Sequence, residues 1–352
     1  MKTGYLCIHI LQTVPASCIN RDDTGTPKSC IYGGAQRMRV SSQCWKKAIR
    51  KYMKDKYGDT GIRTKLITRI LSDKLAESTG CSKQEAEDFV KEWIDRARIA
   101  AKDKKDTSAF FSEEQINAVA KLLSERFSEE KAGEEHKEKE AKFVANIKDA
   151  VMMNPSVSEL LFGRMFAKDP QLNYDAACQV AHAFSVEEVF EEPDYFTAVG
   201  DIKIEEMLAG SDHINTKLFT SGTMYRFADL NLSDGSDLRS QAYNVNVAET
   251  AGRFLEAFAL SMPTGSANSY ANMTLPTTII VELRDDIPVS FAPAFTDPIK
   301  GKDIPKTAAA KMIEYENWVT DNYGGPVKRW VLGETPLKAI CKDVEEEINR
   351  RL

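Results

Sequence analysis

Residues 33–50 read Gly33-Gly34-Ala35-Gln36-Arg37-Met38-Arg39-Val40-Ser41-Ser42-Gln43-Cys44-Trp45-Lys46-Lys47-Ala48-Ile49-Arg50, and this stretch decides the fold. The paired glycines punctuate a turn, since glycine enters left-handed backbone conformations without a Cβ clash. Arg37 to Val40 alternates charged and apolar residues, the period of a half-buried strand. Ser41-Ser42-Gln43 then offers an N-cap for a helix beginning near Cys44. On that helix Trp45, Ala48, Ile49, Tyr52 and Met53 share one stripe suited to a core. Lys46, Arg50 and Lys54, spaced by four, line another face.

The same stretch segregates charge. Residues 24–54 hold eight lysines and arginines and no aspartate or glutamate, in a chain of formal net charge -6. A local basic field on rigid elements is suited to a polyanion, most often nucleic acid backbone. The plainer reading is a solvated surface that lacks acids.

Outward from this core, the 352 residues suffice for one large or two ordinary domains. No apolar run approaches the ~20 residues of a membrane helix, so a soluble, cytoplasmic protein with no membrane partner is expected. The run Tyr5 to Leu11 is shorter than most signal-peptide cores and reads as a buried first strand. Seven cysteines without a C-x-x-C pair argue for reduced thiols rather than disulfides or zinc. His9, His136, His182 and His213 show no metal-ligand spacing. His9, in an apolar strand, and His182, in a helical stripe, are expected to be packed. Asp22 and Asp23 lack a third carboxylate at a matching spacing and read as loop caps. No Ser-His-Asp order, nucleophile elbow or phosphate loop occurs, so neither a catalytic residue nor a cofactor is expected.

Composition changes along the chain. Residues 62–150 read as helical, with Ser124 to Lys142 an exposed, salt-bridged helix. Helical character continues through Tyr174–Ala181 to about residue 190. From Phe196 strands take over: Gly222–Leu232 alternates, and Thr277–Leu283 is a β-branched central strand. Helices are expected over Asn246–Ser261, Thr307–Asp321 and Pro336–Arg351, the last packing Val344 and Ile348 inward. β-rich ends thus flank a helical insertion. That order fits an α+β sandwich of the ferredoxin or RNA-recognition type with excursions between its elements.

The string Asn20-Arg21-Asp22-Asp23, Gly33-Gly34, Arg37-x-Arg39-x-Ser41-Ser42-Gln43 and Lys46-x-Ala48-x-Arg50 resembles the opening of the CasC family. That family is the backbone subunit of the type I-E CRISPR surveillance complex, Cascade. Similarity returns at Ser158–Met165, Ala181-His182-Ala183, Phe196–Val199, Phe219–Gly222, Tyr225–Ala228 and Ala292–Lys302. It implies an RNA-recognition-motif-like palm (residues 1–60 and 223–352), a helical fingers insertion (61–196) and a β thumb (197–222). It also implies a non-catalytic subunit. Several copies stack along one guide RNA, and each thumb kinks the RNA so that short stretches stay free to pair with target DNA. Implied partners are the CRISPR guide RNA, the target DNA strand, further copies of the chain, and the large, small, guide-capping and guide-processing subunits.

By the same resemblance Arg21, Lys28, Arg37, Arg39, Lys46 and Arg50 neutralise guide phosphates. Ser41 and Gln43 donate to the same backbone. Arg164 and Met165 flank the kinked nucleotide, Phe219 and Thr220 wedge from the thumb, and Lys300 and Lys302 face target DNA. The chain departs from the family in having Ala35-Gln36 where a more basic turn is usual. Each role has a structural counterpart: Arg21 paired with Asp22 or Asp23, Met165 in a core, Lys300-Gly301-Lys302 a solvated loop. Two other functions stay open. One is a metal-dependent target-RNA endonuclease subunit using Asp201, Glu205, Glu206 or Asp212, as in type III relatives; the other is a general single-strand binder.

Overall fold

In the computed structural model, which describes residues 4–99, 108–133, 139–197 and 214–352, the first strand β1 covers Tyr5–Ser17. Next come β2 (Ser29–Tyr32) and β3 (Ala35–Val40), joined by Gly33-Gly34 with Tyr32 opposite Ala35. Both glycines have positive φ, 59° and 75°, and a Cβ on Gly33 would overlap the Thr296 carbonyl. Helix α1 (Ser42–Tyr57) is capped by the Ser41 hydroxyl, which accepts from the Cys44 amide, and ends at left-handed Gly58.

An insert follows, comprising β4 (Ile62–Thr64), α2 (Ile67–Thr79), α3 (Lys83–Ala97), β5 (Ala109–Phe111), α4 (Glu113–Ala132), α5 (Glu140–Met152) and α6 (Val157–Phe162). Its helices enclose their own core around Leu71, Val90, Trp93, Leu123 and Phe143, and β4 pairs with β5. The chain then forms β6 (Cys178–Val180), β7 (Ala183–Ser185), β8 (Glu192–Thr197) and the 18-residue β9 (Ile214–Asn231). After these come α7 (Val247–Leu260), α8 (Ala267–Tyr270), β10 (Thr278–Arg284), α9 (Ile304–Tyr323), β11 (Lys328–Val331) and α10 (Leu337–Arg351).

The main sheet is antiparallel, in the order β11-β10-β1-β9-β7-β3-β2, and β6 and β8 also pair with β9. Strand alternation gives it two buried faces. Leu6, Ile8 and Ile10 of β1 pack toward Trp45 and Ile49 of α1, Phe254 and Phe258 of α7, and Val344 and Ile348 of α10. Cys7 and Leu11 point the other way, toward Ala308 and Met312 of α9 and toward Phe291 and Phe295. His9 shares that second face, stacked on Phe291 with ring centroids 3.7 Å apart and Nδ1 3.0 Å from the Tyr225 hydroxyl.

Three expectations are corrected. Residues 174–190 are not helical: β6 and β7 complete the sheet there, because pairing with β9 outweighs the helix-forming composition of Asp175–Ala181. His182 is exposed between those strands rather than packed in a helix. Ser124 to Lys142 is not one helix, since α4 stops at Gly133 (φ 67°) and α5 starts at Glu140.

Asp229 on β9 is 1% exposed, and its Oδ2 has no hydrogen-bond partner among the described residues. Burial pushes its carboxyl up to about 6. A raised folded-state value means that the folded chain holds the proton more tightly than the unfolded one. Stability from this group is therefore full only below the ordinary carboxylate value and is lost as pH rises from there through about 6. Asp229→Asn is expected to stabilise the chain at pH 8, by on the order of 1–3 kcal/mol, and to change little at pH 4. Urea midpoints at the two pH values check this; equal shifts at both would remove the titration from the explanation.

Candidate nucleic-acid interface

Helix α1 carries the site because its two faces are chemically separate. Trp45, Ile49 and Met53 are buried, and no acidic residue occupies the first turn. Lys46 and Arg50, one turn apart on the opposite side, border a cleft of about 260 Å³ that Gln43, Gly163, Arg164 and Met165 also line. Arg50 lies over Phe110 and Phe162, its Cζ 5.7 and 5.8 Å from the ring centroids, and Lys46 Nζ is 6.0 Å from Phe162. These rings hold both cations in place while, among the described residues, leaving their donors uncommitted. Met165 is 64% exposed at the cleft, so it is not core filler.

Arg21, with Lys47 and Lys51 from the far side of α1, lines a second groove of about 530 Å³ with Met262, Thr264 and Met273. Asp22 does not pin Arg21. Its carboxylate instead accepts from Thr24 and Thr26, hydrogen bonds that hold it well below the usual carboxylate range, and so it caps the loop as expected. Arg39 reaches from β3 to His182, with Nη1 3.0 Å from Nδ1. Burial, then the charges of Arg39 and Lys28, push the His182 imidazole below its ordinary value; because arginine can only donate, Nδ1 is the acceptor in this contact. Lys28 lies beside these two residues. Lys300 and Lys302 are exposed in a loop anchored by the Ile299 amide on the Val186 carbonyl, and they do not join the cleft.

Five of the expected contacts are relocated. Arg37 is fully buried; its guanidinium donates to the carbonyls of Tyr32, Ser185, Val186, Phe295 and Thr296, which leaves nothing for a phosphate. Arg164 borders the cleft but is 3% exposed, with its side chain paired to Glu159 at 2.9 Å. Thr220 is buried opposite Ser17 of β1. Phe219 is half-buried beside Tyr270, centroids 6.2 Å apart, at the root of the β8–β9 ribbon. Ser41 is nearly buried as the α1 cap. Asp201, Glu205, Glu206 and Asp212 lie outside the described residues.

A model of the CT1975-like protein family matches residues 6–349. The chain belongs to this family, which is of the CasC type. Among solved structures it is similar to a chain of a "CRISPR RNA-guided surveillance complex, pre-nicking", with 31% identity and a TM-score of 0.80 over 99% of this chain and 100% of that one. It is also similar, at 27% identity and a TM-score of 0.62 with the same coverage, to a chain of a "CRISPR RNA-guided surveillance complex". A search of curated proteins finds no match.

In this CT1975-like chain the cleft also contains residues that sequence reasoning missed: Arg63 of β4, Ser108, Phe110 of β5 and Phe162 of α6. They come from the insert, more than ten positions from Arg50 in sequence, and only the fold brings them to it. The one legible signal was Arg63 itself, a cation close after the basic stretch. Among the described residues no helix is long and apolar enough to cross a membrane, and no cluster of ligating side chains is arranged for a metal.

Proposed function

We propose that this chain is a non-catalytic backbone subunit of a CRISPR Cascade-type complex that binds guide RNA, lines up with further copies along it and supports pairing with target DNA. The observation that carries this is the Lys46–Arg50 face of a helix with no acid in its first turn, open to a cleft with Met165 at its mouth. Lys46, Arg50, Gln43 and Arg63 hold backbone phosphates and hydroxyls on one side of α1, and Arg21 continues the track on the other. Such contacts give affinity without reading sequence, as a guide of variable sequence requires. Lys28 and Arg39 extend the basic surface at the sheet edge. Met165, and Phe219 from the ribbon, act as wedges that kink the strand; an apolar side chain between bases costs a few kcal/mol of stacking.

The palm is the sheet with α1, α7, α9 and α10, the fingers are the α2–α5 insert, and the thumb is the β8–β9 ribbon. The order β10-β1-β9-β7, with α1 and α7 on one face, supports a ferredoxin-like palm. Purifying the chain with its neighbouring gene products and sequencing the RNA that comes with it tests the proposal. A discrete small RNA with a constant end and a variable middle supports it, whereas mixed cellular RNA points to a general single-strand binder.

Lys300 and Lys302 are assigned to target DNA. Lys300→Ala with Lys302→Ala is expected to leave guide content intact. Target affinity should weaken about 10-fold at low salt and less at high salt, as expected for exposed phosphate contacts. Mobility-shift titrations at two salt concentrations measure it; unchanged target binding at both would remove these lysines from the interface.

A further inference from the structure

We infer that Arg164 is a positioning residue that never touches the guide: its buried network fixes Met165 at the mouth of the cleft. The inference rests on the proposed guide-binding function of that cleft.

Gly163, at φ 77°, turns the chain out of α6. A Cβ there would lie 3.1 Å from the Tyr174 carbonyl and the Ala176 amide, so the turn is close-packed. Arg164 then forms an isolated antiparallel bridge with Tyr174, their backbones bonding in both directions. Extended backbone alternates its side chains. Arg164 and Phe166 go inward, to 3% and 6% exposure, and Met165 goes outward. Committing Arg164 to the interior is therefore what directs Met165 to the cleft.

The interior commitment is unusually complete. Arg164 Nε donates to the Leu172 carbonyl at 3.0 Å. Nη1 donates to Glu159 Oε1, the Gln115 amide oxygen and the Val151 carbonyl at 2.9–3.1 Å. Nη2 lies 3.1 Å from the Met152 sulfur, and the guanidinium sits 4.2 Å above the Tyr174 ring. The acceptors come from α4, α5, α6 and the segment before Tyr174, so a single planar fork ties the insert to the Arg164–Tyr174 bridge beside which Met165 emerges. Glu159 is held in turn by the Ser156 amide at 2.8 Å. A planar fork held on Nε, Nη1 and Nη2 by four segments of the chain fixes the guanidinium orientation, and lysine cannot reproduce it.

The test uses the purified complex with a guide carrying 2-aminopurine at successive positions, whose fluorescence rises where bases are unstacked. Arg164→Met is expected to abolish the periodic rise, as Met165→Ala does, while the salt dependence of guide retention stays unchanged. Arg164→Lys, which keeps a cation beside Glu159, should restore part of the signal, and the double variant with Met165→Ala should be no worse than either single change. An intact periodic signal in Arg164→Met overturns the inference. So does a salt slope reduced by about 0.7, the mark of one lost single-strand phosphate contact. Should Arg164→Met not fold, Gln115→Met removes one acceptor and should lower the signal; no change there also overturns it. Wild-type complex that carries no guide would refute the functional reading instead.

Discussion

Substituting Lys46 and Arg50 together by alanine is expected to strip the chain of most of its guide RNA. Both residues face the cleft, and both are braced by aromatic rings rather than by carboxylates, so their charge is available to a ligand. A hydrogen bond to a charged group contributes about 1.5–3 kcal/mol. Allowing for solvent at the cleft mouth, the loss should be about 10- to 100-fold in affinity per copy. The logarithmic salt slope should fall by about 1.4, or 0.7 for each single-strand phosphate contact. Lys342→Ala on α10, where the lysine pairs with Glu346 and is 76% exposed, provides a control that removes one exposed cation away from the cleft and is expected to change neither quantity. Copurified RNA per mole of protein, measured between 50 and 300 mM salt, decides it. Retention equal to the control would mean that the basic face is mere surface.

The second large effect concerns stability. Trp45 is 1% exposed, and the Arg226 guanidinium lies 3.7 Å above its ring. Arg226 is itself buried, donating to Gln12 Oε1 at 2.5 Å and to the Phe258 carbonyl, and burial pulls it down to about 9. The indole is therefore both core filling and the face on which a buried cation rests. Trp45→Ala should cost about 3–5 kcal/mol for the cavity. Up to about 2 kcal/mol more follows from the exposed guanidinium face, without strict additivity. Because Trp45 anchors α1, guide binding should fall with folding. Trp45→Phe keeps a ring under Arg226 and should recover more than half of the loss. Urea unfolding followed by circular dichroism measures both variants; a cost below 1 kcal/mol for alanine would show that α1 is held by other contacts.

Much of this architecture was legible in the sequence where periodicity and capping agree. Ser41 before the Trp45–Ile49–Met53 stripe gave the start of α1 to within two residues, and Asn246 before Val247–Leu260 gave both ends of α7 to within one. The β-branched run Thr278–Val281 gave β10. The failures share a cause. β6 and β7 have three residues each, too short to carry a period of their own, and they are strands only because β9 offers them an edge. Arg37 and Arg164 carry the residue type least expected inside, and sequence gives no hint of the carbonyls converging on them. Arg37 alternates correctly in β3; what could not be read was that both faces of that strand are covered.

That double cover has a consequence for recognition. Proteins that read single-stranded RNA on an open sheet do so by laying bases flat on exposed aromatic rings. Here Phe291 already lies flat on His9, and Phe295 and α9 seal the rest. The chain has, in effect, filled its own reading surface with its own rings. On the proposed reading, a strand bound to it would be gripped by the sugar-phosphate side at the margins of the sheet, with most of its bases turned outward. A holder built this way has no letters to prefer, and the choice of sequence passes entirely to whatever pairs with the bases it leaves exposed.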